Sequence, residues 1–216
     1  MAFFETLHVN WVDFLVMLIL LVGIVRGRKR GMSEELLDVV KWLLIVVVGA
    51  YVYEPLGELL SNLTVFSRLF CFVTVYMLVI AGFVAGFSFL RPHLGSKLIG
   101  SDVFGNGEYY LGMAAGLFRY TCIILVLLAL LNARYFSPEE IRQENAYQEA
   151  NFGSIRFPTL ATLHAAVLDN SLSGSVARTY LPSLLIRSTA LEEKGLGRSS
   201  LVRGRERMLD DVLEKK

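Results

Sequence analysis

Four apolar runs divide the first 133 residues, separated by polar or glycine-containing breaks. They cover about Trp11–Val25, Leu36–Tyr53, Leu69–Leu90 and Leu111–Leu131. A helix needs roughly 20 mostly apolar residues to cross ~30 Å of hydrocarbon. The third run meets this without a charge and closes on Arg91-Pro92. The first is near the lower limit, with Asp13 at its mouth and Trp11 suited to the interface belt. The second is amphipathic at its start. Its uninterrupted part, Trp42 to Tyr53, covers about 18 Å at ~1.5 Å per residue. Its first turns are therefore expected at the cytoplasmic interface, with Asp38 and Lys41 paired on one face and Lys41 snorkelling. The fourth run carries a single basic residue, Arg119.

The breaks set the orientation. The turn at 26–35 holds Arg26, Arg28, Lys29 and Arg30, followed by Ser33-Glu34-Glu35, whose carboxylates suit the positive end of a helix dipole. The loop at 54–68 has Arg68 alone, and the loop at 91–110 has Arg91, His93 and Lys97. Basic short loops stay cytoplasmic. This predicts four spans with both termini outside. Residues 1–8 contain no Lys or Arg, so a cleavable signal is not expected.

Beyond residue 133 the pattern changes to short amphipathic segments near Pro158–Asp169, Ser175–Arg187 and Ser200–Glu214, none able to span. Ser137-Pro138-Glu139-Glu140 has the N-cap, N1 proline and capping-box glutamate of a helix start. Gly195 to Ser200 reads as a flexible link. The expected organisation is thus an external segment over 1–10, a transmembrane domain over 11–133 and an extramembrane tail over 134–216. The fold class is an all-α, four-helix transmembrane bundle with an amphipathic, partly flexible tail.

Composition agrees: 54% of the chain is hydrophobic and 19% charged, against roughly 25% charged in soluble domains. A net charge of +1 points to no nucleic-acid partner. Cys71 and Cys122 lie inside apolar runs and read as buried small hydrophobes rather than a disulfide. His8, His93 and His164 are scattered without metal-ligand spacing, and nucleophile-elbow, P-loop and dinucleotide fingerprints do not occur. No catalytic residue, cofactor or metal is expected.

Three spans contain glycines four apart: Gly23 and Gly27, Gly82 and Gly86, Gly112 and Gly116. Such pairs share a helix face and allow close backbone approach, so each is expected to pack helices, or to line a narrow path or set an oligomer contact. Arg119 has two readings. It snorkels to the cytoplasmic interface, or it faces the bundle and meets a carboxylate, with Glu35 and Glu108 as candidates. The basic turn likewise reads as a topology signal or as attraction to anionic lipid.

Trp11-x-Asp13, an apolar helix, then Arg30-Gly31, Glu35, Leu37 and Trp42 resembles the N-terminal signature of the CvpA family, the colicin V production proteins. The run Leu111-Gly112-Met113-Ala114-Ala115-Gly116-Leu117-Phe118-Arg119 is similar to the family's glycine-glycine-arginine run opening its last span. The chain departs at Tyr120, where the family usually has glycine, and at Glu108, where it has aspartate; Asp102 belongs to an apparently longer loop. The resemblance covers about residues 11–131. It implies a small bacterial inner-membrane protein with four spans, tied to toxin production or export and to envelope physiology. It singles out Asp13, Arg30, Gly31, Glu35, Glu108, Gly112, Gly116 and Arg119. The leading expectation is a non-enzymatic protein supporting toxin production or secretion. The alternatives are a channel or transporter subunit formed by oligomerisation, and a scaffold whose tail binds an envelope protein. The expected partners are the lipid bilayer, further copies of the chain, and an envelope or secretion protein.

Overall fold

The computed structural model describes residues 10–64, 66–99, 107–152 and 159–189. The long helices are α1 (Trp11–Leu63), α2 (Arg68–Ile99) and α3 (Glu108–Asn132). Among the described residues three helices are long and apolar enough to cross a membrane, where four spans were expected, because the first two runs share α1. The first two apolar runs and the basic turn between them all lie within α1, which is broken only at Gly31 (φ 76°, ψ 170°). That backbone conformation is essentially restricted to glycine.

The break reverses the chain. Gly23 lies against Gly116 and Tyr120, and Gly31 against Gly112 and Glu108, so residues 11–30 run antiparallel to α3. Glu35 then meets Arg119, not a residue before Glu108, so residues 32–63 run back alongside α3 in its own direction. We call these stretches the first and second arms. Asn10 caps the first arm: its side chain accepts from Trp11 N–H, and Asp13 accepts from Asn10 N–H at 3.1 Å.

Two connections differ from expectation. The second arm continues through Pro55 to Leu63, so the outer loop shrinks to a few residues. Pro55 removes one helical hydrogen bond, but the helix is held by packing beyond it. Gly49, Tyr53, Gly57 and Ser61 form a buried stripe at every fourth residue, and Gly49 and Gly57 receive the rings of Tyr76 and Phe72 on α2. Similarly α2 runs past Pro92 to Ile99. The side chains of His93 and Lys97, with Asp102, Gly100 and Gly105, lie outside the described residues.

Ile45 and Tyr53 of the second arm, Phe72 and Tyr76 of α2, and Val126 and Ala129 of α3 form the main core. Many other apolar side chains of the long helices face outward, including Phe14, Leu21, Leu78 and Phe89. A surface of this extent is out of place in water and suited to lipid. Cys71 and Cys122 are buried and free.

The tail begins with α4 (Pro138–Phe152), opened by the expected capping box: Glu140 N–H donates to Ser137 Oγ, and Ser137 N–H to the Glu140 carboxylate. Then come α5 (Leu160–His164), continuing as one π-helical turn over Ala165–Asp169, α6 (Leu172–Tyr180), and a 3-10 turn at Pro182–Leu184. Residues 159–189 are docked on the bundle, and Leu168, Ala177, Leu185 and Ile186 join its core. The flexible link and the segment at Ser200–Glu214 lie outside the described residues.

Candidate functional site: a glycine seam closed by a buried ion cluster

The seam between the first arm and α3 is built by absence of side chains. A Cβ on Gly27 would lie 2.1 Å from the Gly112 carbonyl oxygen, one on Gly116 2.2 Å from that of Gly23, and one on Gly112 2.5 Å from that of Gly27. The obstacles are backbone atoms, which cannot swing aside. Gly31 ends the seam, its missing Cβ occupied by the Glu108 carboxyl group at 2.8 Å. Gly82 and Gly86 are different: nothing lies within 4 Å of the Cβ position of either. Within the described chain they pack no helix, contrary to the packing expectation. They sit on the outer side of α2, because that helix turns Phe72 and Tyr76 inward instead.

Beyond the turn, the reversed second arm brings two carboxylates to Arg119. Arg119 Nη1 lies 2.8 Å from Glu35 Oε2 and 3.0 Å from Asp38 Oδ2. Arg30 Nη1 approaches the same two residues at 3.4 and 3.5 Å, and Lys41 Nζ holds Asp38 Oδ1 at 2.7 Å. Glu35 retains 1% of its side-chain exposure and Arg119 14%, so the pair is withdrawn from solvent. Of the two readings of Arg119, the structure adopts the inward one, with Glu35 as partner. Glu108 stays at Gly31 and makes no ion pair with Arg119. Asp38 is a second partner that sequence reasoning missed. Its i,i+3 relation to both Glu35 and Lys41 was the available signal, since all three fall on one helix face.

A charge buried without a partner is costly, and a cluster is tolerable only if its members satisfy one another. Here Arg30 comes from before the Gly31 reversal, Glu35, Asp38 and Lys41 from after it, and Arg119 from α3. The cluster therefore ties three helical segments at one end of the bundle. The donor set is two carboxylates locked by three cations. Such an arrangement positions helices and screens charge.

At the opposite end Asp13 fastens the tail. Leu172 and Ser173 N–H groups donate to its carboxylate at 3.1 and 3.0 Å, as does Ser173 Oγ at 3.1 Å. An acidic side chain is favourable at the N-terminus of a helix, here α6. Nearby, Asn132 donates to the Ile186 carbonyl and accepts from Arg178 Nε, Tyr53 Oη accepts from Arg187 N–H, and Glu54 pairs with Arg187. Between this part of the tail and the bundle lies an open cleft of about 800 Å³, edged by Tyr51, Glu54, Tyr135, Arg178 and Arg187. Asp13, 160 residues from Ser173, had no sequence signal for this role beyond its place at the mouth of the first run.

Asp13, Arg30, Gly31 and Glu35 belong to one stretch of sequence, and Gly112, Gly116 and Arg119 to another; the fold brings all but Asp13 into a single seam. No curated protein and no solved structure matches the chain. The family model described as colicin V production protein matches residues 12–152, a span that contains both stretches, and the chain belongs to that family.

Proposed function

We propose that the protein is a non-enzymatic, multi-pass protein of the bacterial inner membrane that supports toxin production or secretion. The chain crosses four times, with the two arms of α1 as separate spans. The Gly31 turn faces the cytoplasm, because Arg26, Arg28, Lys29 and Arg30 surround it. The docked tail then faces outside, since Asp13, Tyr53 and Asn132, which hold it, all lie at the far end from that turn.

The observation that carries this reading is the convergence of the two family stretches on one seam of glycines and one ion cluster. The shared residues build a bundle, and no nucleophile or acid–base pair stands among them. The test is toxin secretion by cells in which this chain replaces a resident colicin V production protein. Glu35→Gln and Arg119→Met, at matched membrane levels, should reduce secreted toxin. Wild-type secretion by both variants would remove the cluster from the function.

The outer cleft favours a second reading, in which the tail is a platform for an envelope or secretion protein. Truncation after Tyr135 that leaves secretion intact would overturn it. The channel alternative requires assembly of several copies, with the open Gly82 and Gly86 face as the available contact; the mass of the purified protein in detergent tests that directly.

A further inference from the structure

A second polar feature lies on the other side of the second arm. A cavity of about 190 Å³ separates it from α2, with Val84 and Phe87 as apolar wall and Asp38, Lys41, Ser88 and Arg91 as polar lining. At ~30 Å³ per water this is room for about six waters, well below the roughly 300–1,000 Å³ of pockets that enclose a whole organic ligand. A small polar group fits, with the remainder of its molecule outside.

Charge indicates which group. Asp38 is already engaged by Lys41, Arg119 and Arg30. Arg91 is exposed, lies at the cavity and acts on Asp38 only at longer range. Counting the cluster and the cavity together, Arg30, Lys41, Arg91 and Arg119 oppose Glu35 and Asp38, four cations against two carboxylates. Glu108, at Gly31, forms no ion pair with these cations among the described residues. The excess is positive, in a part of the molecule flanked by apolar helix surface.

Position indicates what carries the group. Leu69 to Leu90 extends about 33 Å at ~1.5 Å per residue, the thickness of the hydrocarbon core, so Arg91 stands at its inner boundary. Val84, Ser88 and Arg91 are all exposed, so the cavity opens on the outward surface of the bundle. A molecule seated there has a negative head at Arg91 and an apolar body along Val84 and Phe87.

We propose that this cavity seats the phosphate headgroup of one anionic phospholipid of the inner leaflet. The seat rests on the membrane placement argued above. Arg91 is the primary anion contact, Ser88 supplies a hydroxyl donor, and Lys41 adds charge from the far wall. The headgroup balances part of the positive excess and ties the ion cluster to the lipid around it.

Native mass spectrometry of the detergent-purified full chain, titrated with phosphatidylglycerol or with phosphatidylethanolamine of the same acyl chains, tests the seat. The wild type should retain one phosphatidylglycerol in preference to phosphatidylethanolamine. Arg91→Ala should weaken that binding about fivefold, in line with the contribution of a basic residue near an anionic surface. Ser88→Leu, which fills the cavity, should do the same, and Lys29→Ala, on the exposed collar, should not. Arg91 is exposed, so its variant carries the test even if Ser88→Leu fails to fold. Equal binding by wild type and Arg91→Ala, or equal weakening by Lys29→Ala, overturns a specific seat in favour of diffuse attraction. Displacement of the lipid by soluble glycerol phosphate overturns the lipid as occupant. A reporter placing the Gly31 turn outside would instead overturn the membrane orientation, and it would leave the difference between Arg91→Ala and wild type untouched.

Discussion

Removing the guanidinium of Arg119 leaves Glu35 with only the longer contact to Arg30 and no route to water. Breaking a buried pair from one side costs roughly 3–5 kcal/mol, because the remaining charge is left uncompensated. Arg119→Met should therefore lower the thermal unfolding midpoint in detergent far more than Lys29→Ala does. The double variant Arg119→Met, Glu35→Gln should recover part of the loss; no recovery would mean that the two do not act as a pair. The glycines divide just as sharply. Gly27→Ala and Gly116→Ala force backbone atoms apart and should prevent normal accumulation, whereas Gly82→Ala has open space around it and should fold as wild type. Size-exclusion profiles of the three proteins check this. From the sequence these glycine pairs are equivalent. Only their neighbours separate them, and spacing within one helix says nothing about what stands opposite.

At the scale of elements, the docking of α6 depends on Asp13 and on His164. Losing a helix cap costs about 0.5–2 kcal/mol. Asp13→Ala should therefore loosen the tail while the bundle stays folded, seen as faster trypsin cleavage at Arg178 and Arg187 with the long helices protected. His164 is buried against Phe136, and its Nε2 has no hydrogen-bond partner among the described residues. Burial first, and the Arg178 cation second, hold its pKa below the usual 6.5, against an opposing effect from Asp169. The folded tail favours neutral imidazole, so its stability is full above pH 6.5 and falls as pH drops from there through the lower folded value. Opening of the tail, read by hydrogen exchange corrected for the intrinsic pH dependence of the amides, should thus increase as pH falls below 6.5, and His164→Gln should flatten that dependence. The amphipathic segments of this tail were legible as short helices that cannot span. Their docking partners were not, because Asp13, Tyr53 and Asn132 lie far away in the chain and each is unremarkable in its local pattern.

Taken whole, the molecule has two polar ends joined by apolar helices. The ion cluster and basic turn occupy one, and the docked tail the other. Cysteines placed at Lys29 and at Ser188 should accordingly label from opposite faces of the membrane, and one at Glu54 from the same face as Ser188. Labelling of Lys29→Cys and Ser188→Cys from one side would contradict the placement of the two polar ends on opposite faces. Sequence alone was sufficient for the apolar runs, the basic collar and the short helices of the tail, since each follows from local composition or periodicity, and two short motifs carried the resemblance to the family. It also named Glu35, with Glu108, as a candidate partner for an inward-facing Arg119. Tertiary structure decided the rest. It made Gly31 the point of reversal between the first two apolar runs, chose Glu35 and added Asp38, closed the Gly23–Gly27 and Gly112–Gly116 faces on each other, and left Gly82 and Gly86 open. These outcomes depend on which helix faces which, and that is set by mutual packing and charge satisfaction across the bundle, quantities that no local stretch of sequence contains.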